Sequence, residues 1–482
     1  MDKKFGVLCH VSSLVSDYGI GDVGSSARKF IKFLSNNKID VWQILPLNVT
    51  NEYNCPYGSN YAFSIDPMFV CPEDLLKRKL IKPKHLKTLK SLKDTYKVDY
   101  ETVKREKNEL INIAFKKVKK QLKEEVETFV KMYPDIREYA IFNVMLKNLG
   151  IYDWRNIPKQ LLDVTSIEYA DFVLSNSYEI EKQEFVQYIL FVQWQETLMF
   201  AKTNSVKILG DMPIYPNRDS FDVFKHSNVF KLDKNLYPVV TGGAPPDEFC
   251  SKGQNWGSCV YDWKKLERNG FEYFINKIKR MLNMYDILRL DHFAGYVEHY
   301  EINNENHKLN AWVKGGGEKF FNKLKQHVEF DDIVVEDLGA LTQECKLVKN
   351  QFNLTGMHIL QFDVFNKRFN LSKIEENSIC YLGTHDNNTF IGFLNGLTTE
   401  QKQKVCKVLE IEYASNEEIL INATKQLING NAEYVVLQMQ DMLLQSETEK
   451  MNIPGQAAGC WDYRVPKNYK KQFNKTCKKL FG

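Results

Sequence analysis

The sequence predicts an α/β fold, a single (β/α)8 TIM barrel over residues 1–482 with a large helical insertion and long loops on the C-terminal face. Three observations predict it. Eight short apolar runs rich in branched residues recur along the chain and read as strands buried on both faces. Helical patterns lie between most of them, and alternating strand and helix favours a parallel sheet that eight units can close. Three acids, Asp291, Glu336 and Asp386, fall where three of the runs end. Functional groups of such barrels gather at the carboxyl ends of the strands.

The strand-like runs are residues 5–8, 41–45, 206–209, 287–290, 333–335, 357–362, 379–382 and 434–437. Over 25–36, Ala27, Phe30, Ile31 and Leu34 share one helical face; over 270–284, Phe271, Phe274, Ile275, Ile278 and Leu282 do the same. The gap between the second and third runs is too long for one helix. It holds amphipathic stretches at 103–130 and 185–201, so residues 73–200 are expected to form a helical insertion subdomain. Residues 213–263, with Gly242, Gly243, Pro245, Pro246 and Gly257, read as a loop insertion after the third strand, on the face that carries the acids.

Composition narrows the function. With 65 basic and 61 acidic residues the net charge is +4, too close to neutral for this length to argue for nucleic acid. The lysine-rich stretch 77–93 reads as a solvated helix surface, because no aromatic residues interleave for base stacking. Ten cysteines without a Cys-x-x-Cys pair imply reduced thiols and a cytoplasmic location. No apolar run is long enough for a membrane span, and residues 5–8 begin a strand with no signal-peptide core before it. Gly19-Ile20-Gly21-Asp22-Val23-Gly24 matches a dinucleotide fingerprint, yet it does not directly follow a strand, and no acid ends the next one. It reads as a tight loop before a helix, and no cofactor or metal is expected.

The acids carry the chemistry. Arg289 and Asp291 lie two apart on a strand, so both side chains point into the barrel. The guanidinium is expected to keep Asp291 ionised, as a nucleophile must be. Burial and the charge of Asp291 are expected to keep Glu336 protonated, ready to assist a leaving oxygen. Two such carboxyls flanking an acetal are the layout of retaining glycoside chemistry. Asp386 is placed to bind sugar hydroxyls and to stabilise positive charge at an anomeric carbon. His292 and His385 each adjoin an acid and can donate to hydroxyls. One acid alone reads as a helix cap; three acids with an arginine and two histidines point to a shared site. Tyr57, Tyr215, Phe249, Trp256 and Trp461 are candidate sugar platforms, and Asp211, after the third strand, can reach the same place.

The chain resembles the 4-α-glucanotransferases, known as amylomaltases or disproportionating enzymes (glycoside hydrolase family 77). The motifs that carry the resemblance run nearly end to end: Tyr18–Gly24, Trp42–Leu47, Pro56-Tyr57, Gly210–Tyr215, Pro245-Pro246-Asp247, Gly253-Gln254 with Trp256-Gly257, Arg289–Phe293, Glu336–Gly339, Gly383–Asn387 and Asn452–Gly455. The resemblance implies Asp291 as nucleophile, Glu336 as acid/base and Asp386 as transition-state stabiliser. It also implies that Arg289 supports Asp291 and that His385 binds the sugar beside the cleavage point. Tyr57, Asp211, Asp247, Gln254 and Trp256 fall on family positions that contact glucan. The implied reaction moves an α-1,4-glucan segment to the 4-OH of another chain or of glucose, without a cofactor. Ala294, Glu248, Cys460 and Ser258-Cys259 depart from the family pattern, and Glu248 and Cys460 bear on acceptor binding. The alternatives are an amylase-type hydrolase, since the three acids alone serve the wider α-amylase clan, and a catalytically silent glucan-binding protein.

Overall fold

The protein's structure, a computed structural model, describes residues 3–246, 253–306, 309–339, 341–456 and 458–482. In chain order its strands are β1 (Lys4–Leu8), β2 (Val41–Gln43), β3 (Lys207–Met212), β4 (Val240–Ala244), β5 (Gln254–Cys259) and β6 (Ile287–Leu290). There follow β7 (Glu298–Asn303), β8 (Ala311–Lys314), β9 (Ile333–Val335), β10 (Gly356–Ile359), β11 (Ser378–Tyr381) and β12 (Tyr434–Gln438). Eight form one sheet in the order β10-β11-β12-β1-β2-β3-β6-β9, every neighbouring pair parallel. The ends nearly meet: Val334 bridges Thr355 in parallel, and the Val335 N–H donates to the Thr355 carbonyl at 2.9 Å. This is the expected barrel. Strands such as Tyr434-Val435-Val436-Leu437-Gln438 are buried at every position, because a barrel strand faces side chains within and helices without.

Strand ends shift where three-dimensional contacts overrule the local pattern. β3 runs on through Gly210, Asp211 and Met212, paired with Leu288, Arg289 and Leu290 of β6. Gly210 is required there, since a Cβ would stand 2.2 Å from the Tyr285 ring. β10 stops at Ile359, and Leu360–Asp363 turns into a short helix.

Between β2 and β3 the described chain is mainly helical. The 27-residue helix Ser177–Thr203, roughly 40 Å long at 1.5 Å per residue, leads back into β3. Its C-terminal half packs on the barrel wall: Thr197 Oγ1 donates to the Val23 carbonyl at 2.6 Å, and Trp194 Nε1 to the Met284 carbonyl at 2.9 Å. Helices Tyr100–Phe115, Lys120–Met132 and Asp135–Leu149 pack on it. The amphipathic stretch 103–130 is thus two helices, parted at residues 116–119, where a continuous helix would set Lys116 and Lys120 one turn apart as like charges. The Gly19–Gly24 motif forms the tight loop into helix Ser25–Asn36, and a Cβ on Gly21 would stand 1.9 Å from the Val11 carbonyl oxygen.

The stretch after β3 is more than loop. β4 and β5 join β7 and β8 in an antiparallel sheet ordered β5-β4-β7-β8. The described cysteines are unpaired, and no helix among the described residues is long and apolar enough to cross a membrane.

Candidate active site

Asp291 directly follows β6, Glu336 directly follows β9, and Asp386 lies in the segment after β11. All three sit past the carboxyl ends of parallel strands, hence at one rim. Arg289 organises the first two. Paired across the sheet with Asp211, it puts Nη1 2.6 Å from Asp211 Oδ2 and 3.3 Å from Asp291 Oδ1, while Nη2 lies 3.1 Å from Glu336 Oε2. Its side chain is 3% exposed and Asp211 is fully buried, while Asp291 and Glu336 reach the same guanidinium from partly exposed positions. Glu336 Oε2 also accepts the His292 backbone N–H at 2.6 Å, and the Phe293 N–H donates to the Glu336 carbonyl at 3.0 Å. These bonds hold His292 at φ +47°, left-handed for a residue with a Cβ, so the chain turns sharply just past Asp291.

The electrostatics correct the expectation for Asp291. Burial, then the charge of Glu336, pushes its carboxyl well above the usual range; Arg289 pulls down but does not prevail, and Asp211 and a hydrogen bond with Glu336 add to the rise. A guanidinium already shared among three carboxyls neutralises only part of their charge. Asp291 therefore binds a proton more readily than a free aspartate does.

The third acid is built differently. Asp386 Oδ1 accepts from Asn452 Nδ2 at 2.6 Å, and Oδ2 lies 3.2 Å from His385 Nε2. Burial raises its pKa, but the His385 imidazole beside it and the Asn452 hydrogen bond outweigh that and hold it at about 2. His385 is stacked on Tyr57, ring centroids 5.2 Å apart and planes 10° apart, with Trp461 at 6.0 Å. The Tyr57 hydroxyl donates to Asp211 Oδ2 at 2.7 Å, and its environment includes the charges of Arg289, Asp291 and Asp386. Tyr57, Asp211, Arg289 and the three acids are thereby brought into one cluster.

Across the site, Trp256 on β5 meets the His292 ring edge to face at 4.9 Å, and Trp256 Nε1 donates to Gln254 Oε1 at 3.1 Å. Trp256 is 40% exposed, a flat apolar face open to solvent. Tyr215 lies 6.3 Å from Trp256 and 6.5 Å from His292. Asp247, Phe249 and Glu248 lie outside the described residues. Asn452 had no role in the sequence reading beyond its place in the motif Asn452–Gly455, and nothing local tied it to Asp386.

The segment that carries Asp386 is anchored from behind by Asp441. Its Oδ1 accepts the Phe390 N–H at 2.7 Å, while the buried Oδ2 has no protein partner. Burial pushes this carboxyl up to about 7, against the pull of the Phe390 N–H. The folded protein then binds that proton more tightly than the unfolded chain, so Asp441 costs stability progressively as pH rises from about 4 to about 7. Relative to the parent, Asp441→Asn should gain up to about 4 kcal/mol between pH 4 and pH 8, by urea unfolding at each pH. Parallel pH profiles for the two proteins would show that Asp441 ionises without penalty.

A model of the 4-alpha-glucanotransferase family matches residues 9–470. The chain belongs to the 4-alpha-glucanotransferase family. Among similar members, the 4-alpha-glucanotransferase of Aquifex aeolicus is 33% identical over 99% of both chains. That of Streptococcus pneumoniae is 30% identical over 96% of this chain and 93% of its own. The solved amylomaltase of Streptococcus agalactiae, in complex with acarbose, superposes with a TM-score of 0.92 at 27% identity, covering 98% of each chain. The amylomaltase of Corynebacterium glutamicum shares the fold, with a TM-score of 0.83 at 15% identity. The enzyme is thus a glycosyltransferase, and its candidate site is a barrel rim where Arg289 gathers Asp211, Asp291 and Glu336, with Asp386 beside them.

Proposed function

We propose that the enzyme moves an α-1,4-glucan segment to the 4-OH of an acceptor glucan or of glucose, by retaining double displacement through a glycosyl ester on Asp291. The observation that carries the reading is that Asp291 and Glu336 sit on one guanidinium, 3.3 Å from Arg289 Nη1 and 3.1 Å from Nη2. Inverting glycosidases keep their two carboxyls about 6.5–9.5 Å apart to admit a water; two carboxyls drawn to adjacent nitrogens of one fork suit the closer retaining arrangement. One proton serves the first step. With the proton on Glu336, that residue protonates the departing glycosidic oxygen while the Asp291 carboxylate attacks the anomeric carbon. Glu336, now a carboxylate, removes the proton from the acceptor hydroxyl as it opens the ester. Asp386, ionised throughout, faces the positive charge that builds on the sugar ring in both steps. Arg289, itself held by Asp211, keeps Asp291 in place, and His385 and His292 donate to hydroxyls. Tyr57, Trp256 and Trp461, with Gln254, Asp247 and Phe249, contact the glucan. The reading places the enzyme in the cytoplasm.

Transfer requires a bound acceptor to outcompete water at about 55 M, which proximity can achieve. Maltotriose as sole substrate tests this. The expected products are glucose and a ladder of oligomers longer than maltotriose. Shorter products alone would indicate an amylase-type hydrolase; binding of maltodextrin without turnover would indicate a silent glucan-binding protein.

A further inference from the structure

We propose that His10 is a positioning residue for His385, acting through one water molecule held between their Nδ1 atoms. Past the end of β1 the chain brings His10 into the interior, 5% exposed, edge-on to Phe69 at 5.6 Å. His10, Ser13, Gln438 and Gln440 line, together with His385, a cavity of about 10 Å³. His10 Nδ1, Ser13 Oγ and His385 Nδ1 are all buried and have no hydrogen-bond partner in the protein. Orphaned buried polar atoms are rare. A water needs about 10–15 Å³ and two to four polar partners, and this cavity supplies both.

The protons can be counted. His385 Nε2 lies 3.2 Å from Asp386 Oδ2, the nearest acceptor, although the pair is out of hydrogen-bond alignment; in a neutral ring a hydrogen on that nitrogen leaves Nδ1 an acceptor. Burial keeps His10 neutral, its pKa lowered to about 3. His10 thus brings no cation to His385, and its Nδ1 is free to accept. The water donates one hydrogen to each Nδ1 and accepts from the Ser13 hydroxyl. Which imidazole nitrogen is protonated is set by the bond the other one makes, so His10 and Ser13 fix His385 with Nε2–H toward Asp386 and the sugar.

The inference rests on the role proposed above for His385, and the test separates the two. In 15N-histidine-labelled enzyme, with the His385 signals assigned by their loss in His385→Gln, the parent should show the Nε2–H tautomer. His10→Phe keeps the ring volume and removes the polar atoms. It should mix the tautomers and lower kcat/KM on maltotriose about tenfold, chiefly through kcat. His10→Gln, which keeps a polar tip, should recover to within about threefold of the parent. If His10→Phe does not fold, Ser13→Ala should mix the tautomers in its place. A parent His385 protonated at Nδ1, or tautomers unchanged in the foldable variants, overturns the inference. A parent that gives no ladder from maltotriose overturns the functional reading instead, whatever the tautomer.

Discussion

Asp291→Asn should lower turnover by about 10⁴-fold or more while leaving the fold intact. The amide has nearly the carboxylate's shape but carries no charge and is a poor nucleophile, so the ester to the sugar cannot form. The packing argument points the other way for stability. Three carboxyls, Asp211, Asp291 and Glu336, lie around one buried guanidinium. Removing one negative charge relieves repulsion that burial magnifies, so the variant should unfold at the parent's denaturant midpoint or above it. Catalytic sites store this kind of cost. Turnover on maltotriose and urea unfolding, run on the same preparation, check both halves. A near-parental rate would remove Asp291 from the role of nucleophile.

Arg289→Met should cost stability and activity together. The methionine fills much of the volume but leaves buried carboxyls without their cation, and breaking a buried ion pair from one side typically costs about 3–5 kcal/mol. The carboxyls would respond by taking up protons, and Asp291, already pushed up by burial and Glu336, would be protonated when it needs to attack. Arg289→Lys restores the charge but cannot reach three carboxyls with one fork. It should recover most of the stability and little of the rate. Urea unfolding of the two variants decides it: a loss below about 0.5 kcal/mol in Arg289→Met would mean that the guanidinium does not hold the cluster together.

The barrel was legible because its strands are buried on both faces. Runs such as Ile333-Val334-Val335 advertise that without any knowledge of their neighbours. Asp291 and Glu336 were legible for a related reason: a charged residue immediately after a branched apolar run is an abrupt change, and it falls at the strand end; Asp386, a few residues past β11, was legible from its place beside His385. The sheet of β4, β5, β7 and β8 was not. Val240-Thr241-Gly242-Gly243-Ala244 and Gln254-Asn255-Trp256-Gly257-Ser258-Cys259 have turn-like composition, with an irregularity in the pairing between them. β4 gains strand geometry by pairing with β7, distant in the chain, and local propensity does not report such partners. The upward push on the Asp291 carboxyl was hidden for the same reason. Arg289 is two residues away and visible, whereas Glu336 is brought in from β9 and burial comes from the whole barrel. Asn452, fixing Asp386 from 66 positions away, is a third instance.

The central claim is that Asp291 becomes the sugar ester while Glu336 handles the proton. An α-glucosyl fluoride donor tests it most directly with Glu336→Gln, because fluoride departs without an acid and no base remains to open the ester. Mass analysis of the quenched protein and of its peptides should find one glucosyl group, on Asp291. A glucosyl group on any other residue, or an unlabelled protein that still consumes the fluoride, would contradict the account.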